Sequence, residues 1–179
     1  RVKGWRWPYV AALAIMLAKT GVPDQRHIAI DPYRLGSDGG SSLLEHFRRT
    51  YGKRFRRVWK RSEIALPEFV AAGNSCDLAF VDGSHHFEGV LLDFFYFDRL
   101  CRVGGLIVLD DIDYPAVEAA VNFIRANRKT YAVAEVGRFA VLKKLAPDDR
   151  QWWHFRPFAV PDRLDWTHRD RADAQRKYG

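Results

Sequence analysis

Methionine occurs once and cysteine twice in this chain of 179 residues. Cys76 and Cys101 show no CxxC spacing. That excludes a zinc ribbon and a disulfide-framed secreted scaffold. The two cysteines read instead as reduced core thiols of an intracellular, cytoplasmic protein. No apolar run reaches the ~20 residues a membrane-spanning helix needs, so no membrane role is expected. The stretch YVAALAIMLA (9–18), behind a basic start, imitates a signal peptide. Its Val10, Leu13, Ala14 and Leu17 nevertheless share one helical stripe, which favours a core helix ended by Gly21. Internal repeats are missing. So is a P-loop: LGSDGGS (35–41) is glycine-rich but has no phosphate-binding lysine, and it reads as a loop over the site.

What is present is basic and apolar. The formal net charge is +7, and 47% of residues are hydrophobic against 28% charged. One domain with a real core is the default at this length. The positive charge gathers in KRFRRVWKR (53–61) and in the tail. An anionic ligand or a nucleic acid would suit it.

Strand-like and helix-like stretches alternate. HIAID (27–31), FRRVWKR (55–61), CDLAFVD (76–82) and GLIVLDD (105–111) read as strands. SSLLEHFRRTY (41–51), EIALPEFVAAG (63–73), HFEGVLLDFFYFDRLC (86–101) and PAVEAAVNFIRAN (115–127) read as helices. Gly104 and Gly105 are expected to end the third of these helices, and Pro115 to open the fourth. TYAVAEVGRFAVLKK (130–144) reads as a hairpin around Gly137. The expected fold is α/β: a Rossmann-like, mostly parallel sheet with helices on both faces and a C-terminal antiparallel hairpin. Residues 1–145 form that domain. Residues 146–179, with Trp152, Trp153, Phe155, Phe158 and Trp166 among many charges, are an irregular tail.

Three strands end in acids: Asp31, Asp82 and the pair Asp110–Asp111. One such acid is commonly a helix cap. Several at one sheet edge suggest more, because ligands of open α/β sheets bind beyond the carboxyl ends of the strands. Neighbouring strands lie about 4.8 Å apart, so Asp82 and Asp110–Asp111 converge if their strands pair. Converging carboxylates repel unless a cation sits among them. Oxygen donors favour a hard ion such as Mg²⁺. Asp31 suits a cofactor ribose, and Tyr33 an adenine ring. His85 offers a general base whose ordinary pKa lies near working pH. His86 reads as a surface residue.

These residues resemble a family. HIAIDPY, DLAFVDGSHHFEGVLLDFFYFDRLCRVGGLIVLDDI and the final hairpin are similar to class I S-adenosylmethionine-dependent methyltransferases. The nearest branch carries DGxH after the fourth strand and DD after the fifth. It includes metal-dependent O-methyltransferases acting on sugar and small-molecule hydroxyls. The resemblance implies that Asp31 holds the ribose and that Ser62 borders the adenine. Asp82 and Gly83 line the cofactor, and Asp82, Asp110 and Asp111 hold the divalent ion. His85 stands where related catechol-type enzymes keep a lysine base. Gly4 aligns with the first glycine of the family's cofactor turn. Pro8 and Val2 depart from that turn, and most of the family's first strand is missing from the chain.

Methyl transfer from S-adenosylmethionine to a small-molecule or sugar hydroxyl is therefore the expected activity. Two rivals stand beside it. The basic, aromatic-bearing stretch 53–61 fits an RNA methyltransferase, and the degenerate turn fits a non-catalytic domain. A homo-oligomer is compatible with either.

Overall fold

A computed structural model of the chain describes residues 26–32, 49 and 52–162. The chain divides into two compact units, residues 1–62 with 165–179 and residues 63–164. The helices expected at 9–19 and 41–51 lie outside the described residues, apart from helical Arg49.

In the first unit, β1 (His27–Ile30) pairs in parallel with β2 (Phe55–Val58), His27 opposite Phe55 and Ile30 opposite Val58. The amide of Asp31 continues this ladder by donating to the carbonyl of Val58 at 3.0 Å. The acid thus leaves β1 at the sheet's carboxyl edge.

The second unit is built on four strands: β3 (Cys76–Val81), β4 (Cys101–Leu109), β5 (Tyr131–Val136) and β6 (Phe139–Lys144). Their order is β3-β4-β6-β5. β3 and β4 are parallel, while β6 runs antiparallel to both β4 and β5. The closing hairpin is as expected, with Gly137 at its tip holding a φ of 59°. Among the described pairings, parallel and antiparallel ladders are equally represented.

Two helices cover this sheet. α1 (Ser62–Ala71) precedes β3; α2 (Phe87–Leu100) and α3 (Pro115–Asn127) follow β3 and β4. The stripes Val90, Phe94 of α2 and Val117, Val121, Ile124 of α3 are buried against Ile107, Leu109, Ala140 and Leu142 of the strands. Burial of that apolar area is the main stabilising term of the unit.

One boundary differs from expectation. α2 ends at Leu100, and β4 begins at once with Cys101 opposite Cys76. The glycines lie inside the strand, not after the helix. Between the Cys76↔Cys101 and Leu78↔Leu106 pairs the register shifts, so β4 carries extra residues in a bulge. Gly104 takes a φ of 86° there. A Cβ on Gly105 would lie 2.6 Å from Cys101 Sγ and 2.9 Å from the Asp77 carbonyl oxygen. Crowding between strands, not helix capping, is what requires glycine at 105. Both cysteines are free thiols.

The described part of the tail packs on the helices. Phe158 stacks on Phe87 at 6.3 Å and meets Phe123 edge-on at 5.4 Å. Asn127 Nδ2 donates to the Arg156 carbonyl at 2.9 Å, and its Oδ1 accepts from the Arg156 amide at 2.8 Å. Trp152 and Trp153, in a short 3-10 turn, remain exposed.

Candidate functional site

The parallel register sets the site. Val81 lies opposite Leu109, so Asp82 and Asp110 leave β3 and β4 at the same level. The Asp110 amide donates to the Val81 carbonyl at 3.0 Å, extending the ladder to the first acid. Beyond Asp82 the chain turns over Gly83. Ser84 then holds the next turn: its Oγ accepts from the His86 amide at 3.3 Å and lies 3.0 Å from His86 Nδ1. This fixes His86 outward and leaves His85 on the opposite side, toward β4.

His85 Nε2 lies 2.8 Å from Asp111 Oδ2 and 4.0 Å from Asp82 Oδ1. Its ring meets Tyr114 edge-on at 5.0 Å. One donor atom from each of Asp82, His85 and Asp111 falls within 4.8 Å of the others. That spacing fits one divalent ion. Both carboxylates are suitable hard donors, and the imidazole accepts a borderline metal or a proton.

Asp110 is placed differently. Its side chain is 0% exposed, and Arg138 Nε donates to its Oδ1 at 2.6 Å. The same oxygen accepts from the Asp111 amide at 2.7 Å. Arg138 Nη2 also donates to Asp111 Oδ1. Asp110 thus faces the guanidinium, while Asp82, His85 and Asp111 face one another. Arg138, the basic partner of both acids, is the member of this cluster that sequence reading missed. Its only signal was position, one residue past the hairpin glycine.

In the other unit, Asp31 is half-buried and receives Arg57 Nη2 at 2.8 Å. Burial lowers the Arg57 pKa, and the Asp31 charge opposes that shift. The Arg57 guanidinium also lies 3.6 Å from the Trp59 ring centre. Within the basic stretch 53–61, Arg57 is therefore engaged inside its own unit. Ser62 opens α1, and Gly83 is exposed beside Asp82. Gly4 and Tyr33 lie outside the described residues.

The family model for a methyltransferase domain matches residues 9–112, more than half of the chain. This chain belongs to that methyltransferase family. The match spans the strand-end acids Asp31, Asp82, Asp110 and Asp111. No curated protein matches the methyltransferase chain in sequence. Among solved structures it is similar to CalS11, a TDP-rhamnose 3'-O-methyltransferase of calicheamicin biosynthesis. The TM-score is 0.61 at 16% identity, over 78% of this chain and 68% of that one. The O-methyltransferase NovP gives 0.59 at 16% identity, over 79% and 69%. MycE, of the mycinamycin pathway, in complex with Mg, SAH and mycinamycin VI, gives 0.56 at 17%, over 83% of this chain and 44% of its own. At such identities the likeness establishes the fold. No described helix is long and apolar enough to cross a membrane.

Proposed function

We propose that the protein transfers a methyl group from S-adenosylmethionine to a hydroxyl oxygen of a small molecule or sugar, assisted by a divalent ion. The observation that carries this reading is the convergence of Asp82, His85 and Asp111 within 4.8 Å at the carboxyl end of β3 and β4. Ligands of such sheets bind at that edge. The likeness to O-methyltransferases, one bound to Mg and SAH, supports the choice of cofactor and ion.

Asp82 and Asp111 are the carboxylates that would hold the ion. A bound divalent ion lowers the pKa of a hydroxyl placed on it. His85 would take the hydroxyl proton, and Asp111, 2.8 Å from its Nε2, and Asp82, 4.0 Å away, would stabilise the imidazolium. By the family resemblance, Asp31 would hold the cofactor ribose, and Gly4, Tyr33, Ser62 and Gly83 are the further candidates for cofactor contact. The fold's contribution is alignment of oxygen and methyl, worth several kcal/mol or about 7–11 at best in intramolecular reactions.

Calorimetry with S-adenosylmethionine, with and without Mg²⁺, should give a binding heat. Methyl transfer to a panel of sugar and small-molecule hydroxyls should then stop in EDTA. Full turnover in EDTA would remove the ion from the reaction. Substituting His85→Ala should flatten the pH–rate profile near neutrality while Mn²⁺ still binds. Loss of Mn²⁺ binding instead would make His85 a ligand and not the base.

A further inference from the structure

We infer that Cys76 and Cys101 form a redox couple: hydrogen peroxide closes them into a disulfide between β3 and β4, and a dithiol reductant reopens it. The couple lies at the amino end of the sheet, opposite the end that carries Asp82 and Asp111. It is independent of the methyl-transfer reading.

Register brings the two residues together. Cys76 opens β3, Cys101 opens β4, and they are Cα partners in the parallel ladder. Neighbouring strands lie about 4.8 Å apart. A disulfide needs a Cα separation of roughly 4.4–6.8 Å. Both residues are free thiols, and the chain has no third cysteine to compete.

Each thiol is also the strongest influence on the other. The hydrogen bond between them raises the Cys76 pKa and lowers that of Cys101. Burial opposes the shift at Cys101, and the charges of Lys144 and Arg102 add to it. Lys144 Nζ stands at this end of β4 and donates to the Cys101 carbonyl at 3.1 Å. Asp98 and Asp77 favour the thiols, but each is itself paired, with Arg128 and with Arg102. Two thiols that share a proton beside a cation yield a thiolate more readily than one buried thiol alone.

The surroundings leave room for the bond. The pair next along the ladder is Leu78↔Leu106, so Cys76 and Cys101 stand ahead of the bulge. Gly104, with its φ of 86°, gives the β4 backbone freedom there. Gly105 leaves open the space beside Cys101 Sγ, where a Cβ would lie only 2.6 Å away. Cys101 is 2% exposed, but Cys76 is half-buried and follows the exposed Gly73, Asn74 and Ser75. Hydrogen peroxide is little larger than water and suits that approach.

One sulfur, as thiolate, attacks a peroxide oxygen. The O–O bond breaks, the departing hydroxide takes a proton to become water, and a sulfenic acid remains. The second thiol loses its proton and attacks that sulfur. The S–S bond forms, the S–O bond breaks, and a second water leaves. The two sulfurs together give up two electrons, and one peroxide becomes two waters. A dithiol returns the electrons by thiol–disulfide exchange.

The test is to treat the reduced full chain with hydrogen peroxide and follow its thiols, intact mass and peptide map. Both free thiols should disappear, and the mass should fall by that of two hydrogens. One cross-linked peptide should join positions 76 and 101, with no covalent dimer on a non-reducing gel. Dithiothreitol should restore both thiols. The bond closes a loop that contains α2, so the oxidised form should unfold at a temperature higher by roughly 5 °C or more. Cys76→Ser should show neither the cross-link nor the shift. Thiols that persist, oxygen gained as sulfinic acid, or covalent dimers in place of the internal bond would each overturn the couple. So would a lowered unfolding temperature, which would mean that the bond forms only in opened chains. The wild-type measurements decide this even if Cys76→Ser does not fold.

Discussion

The two ends of the four-stranded sheet both bury acids against basic side chains, and they do so with opposite balance. At the amino end of β4, Asp98 receives Tyr131 Oη at 2.6 Å, the guanidinium of Arg128, and Lys144 Nζ at 3.4 Å. Lys144 also donates to the main-chain oxygens of Asp98 and Cys101. Arg128 reaches on to Asp148 at 3.4 Å. Arg150 also pairs with Asp148, at 2.9 Å, so two acids face three cations there and no negative charge is left uncompensated. At the carboxyl end, Asp82, Asp110 and Asp111 face one guanidinium and a histidine. The balanced end is built to hold the fold. The other gathers three acids, among the described residues, around one guanidinium and a histidine.

The sharpest way to break this contrast is to remove one acid from each end. Asp98→Ala takes the nearest carboxylate from buried Arg128 and Lys144, with Asp148 at 3.4 Å as the acid that remains beside Arg128, and should cost about 3–5 kcal/mol. Asp111→Asn relieves repulsion between adjacent carboxylates and keeps a residue that accepts positive φ. Its stability should change by less than about 1 kcal/mol, while methyl transfer falls by ~100-fold or more. Denaturant unfolding and a transfer assay on the same preparations check both. Equal stability losses would show that both ends are structural.

Acid should reach the balanced end in a defined window. Burial pushes the Asp98 carboxyl up, but hydrogen bonds from Tyr131 and Arg128 and the charges of Arg128 and Lys144 outweigh it. The net effect holds Asp98 below its ordinary range. A carboxyl depressed in the folded state contributes stability that is complete above the unfolded pKa of about 3.9 and is lost as pH falls through the folded value. Wild type should therefore lose stability below pH ~4 more steeply than Asp98→Asn. Parallel urea midpoints for the two proteins across that range would refute the linkage.

Much of this was legible in the sequence, and the gaps have physical causes. Period-3.6 stripes placed α2 and α3, and apolar runs ending in acids placed β3 and β4. The carboxyl-edge acids followed from that order. The end of α2 was misread because Gly104 and Gly105 look the same in a C-cap and in a bulge. Only pairing with β3, a contact across 25 residues from Cys76 to Cys101, separates the two. The role of Arg138 was invisible for a similar reason. It meets Asp110 through an antiparallel register 28 residues away, and local sequence carries no trace of which neighbour a strand will choose.

That misread glycine offers a smaller test of the sheet. A Cβ at 105 would press on a main-chain oxygen, Asp77 O at 2.9 Å, which cannot rotate away. Gly105→Ala should therefore cost about 1–3 kcal/mol through overpacking. Gly104 faces more open space, but its φ of 86° makes an alanine there strained as well. If position 105 were a helix C-cap, alanine would instead be nearly neutral in packing. A thermal melt of Gly105→Ala unchanged from wild type would refute the bulge.

The smallest effect is expected where the tail meets the helices. Phe158 lies between Phe87 at the start of α2 and Phe123 on α3. Aromatic pairs of this kind contribute about 0.5–1.5 kcal/mol beyond area burial. Phe158→Ala should thus lower stability by roughly 1–2 kcal/mol in total. Phe87 stands two residues after His85, so the tail contact also bears on the loop that carries the proposed base. If that contact only covers apolar surface, transfer kinetics at saturating Mg²⁺ should match wild type after correction for folded fraction. A fall in kcat with unchanged KM would mean instead that Phe158 helps to hold His85 against Asp111, and the tail would then belong to the reactive end of the sheet.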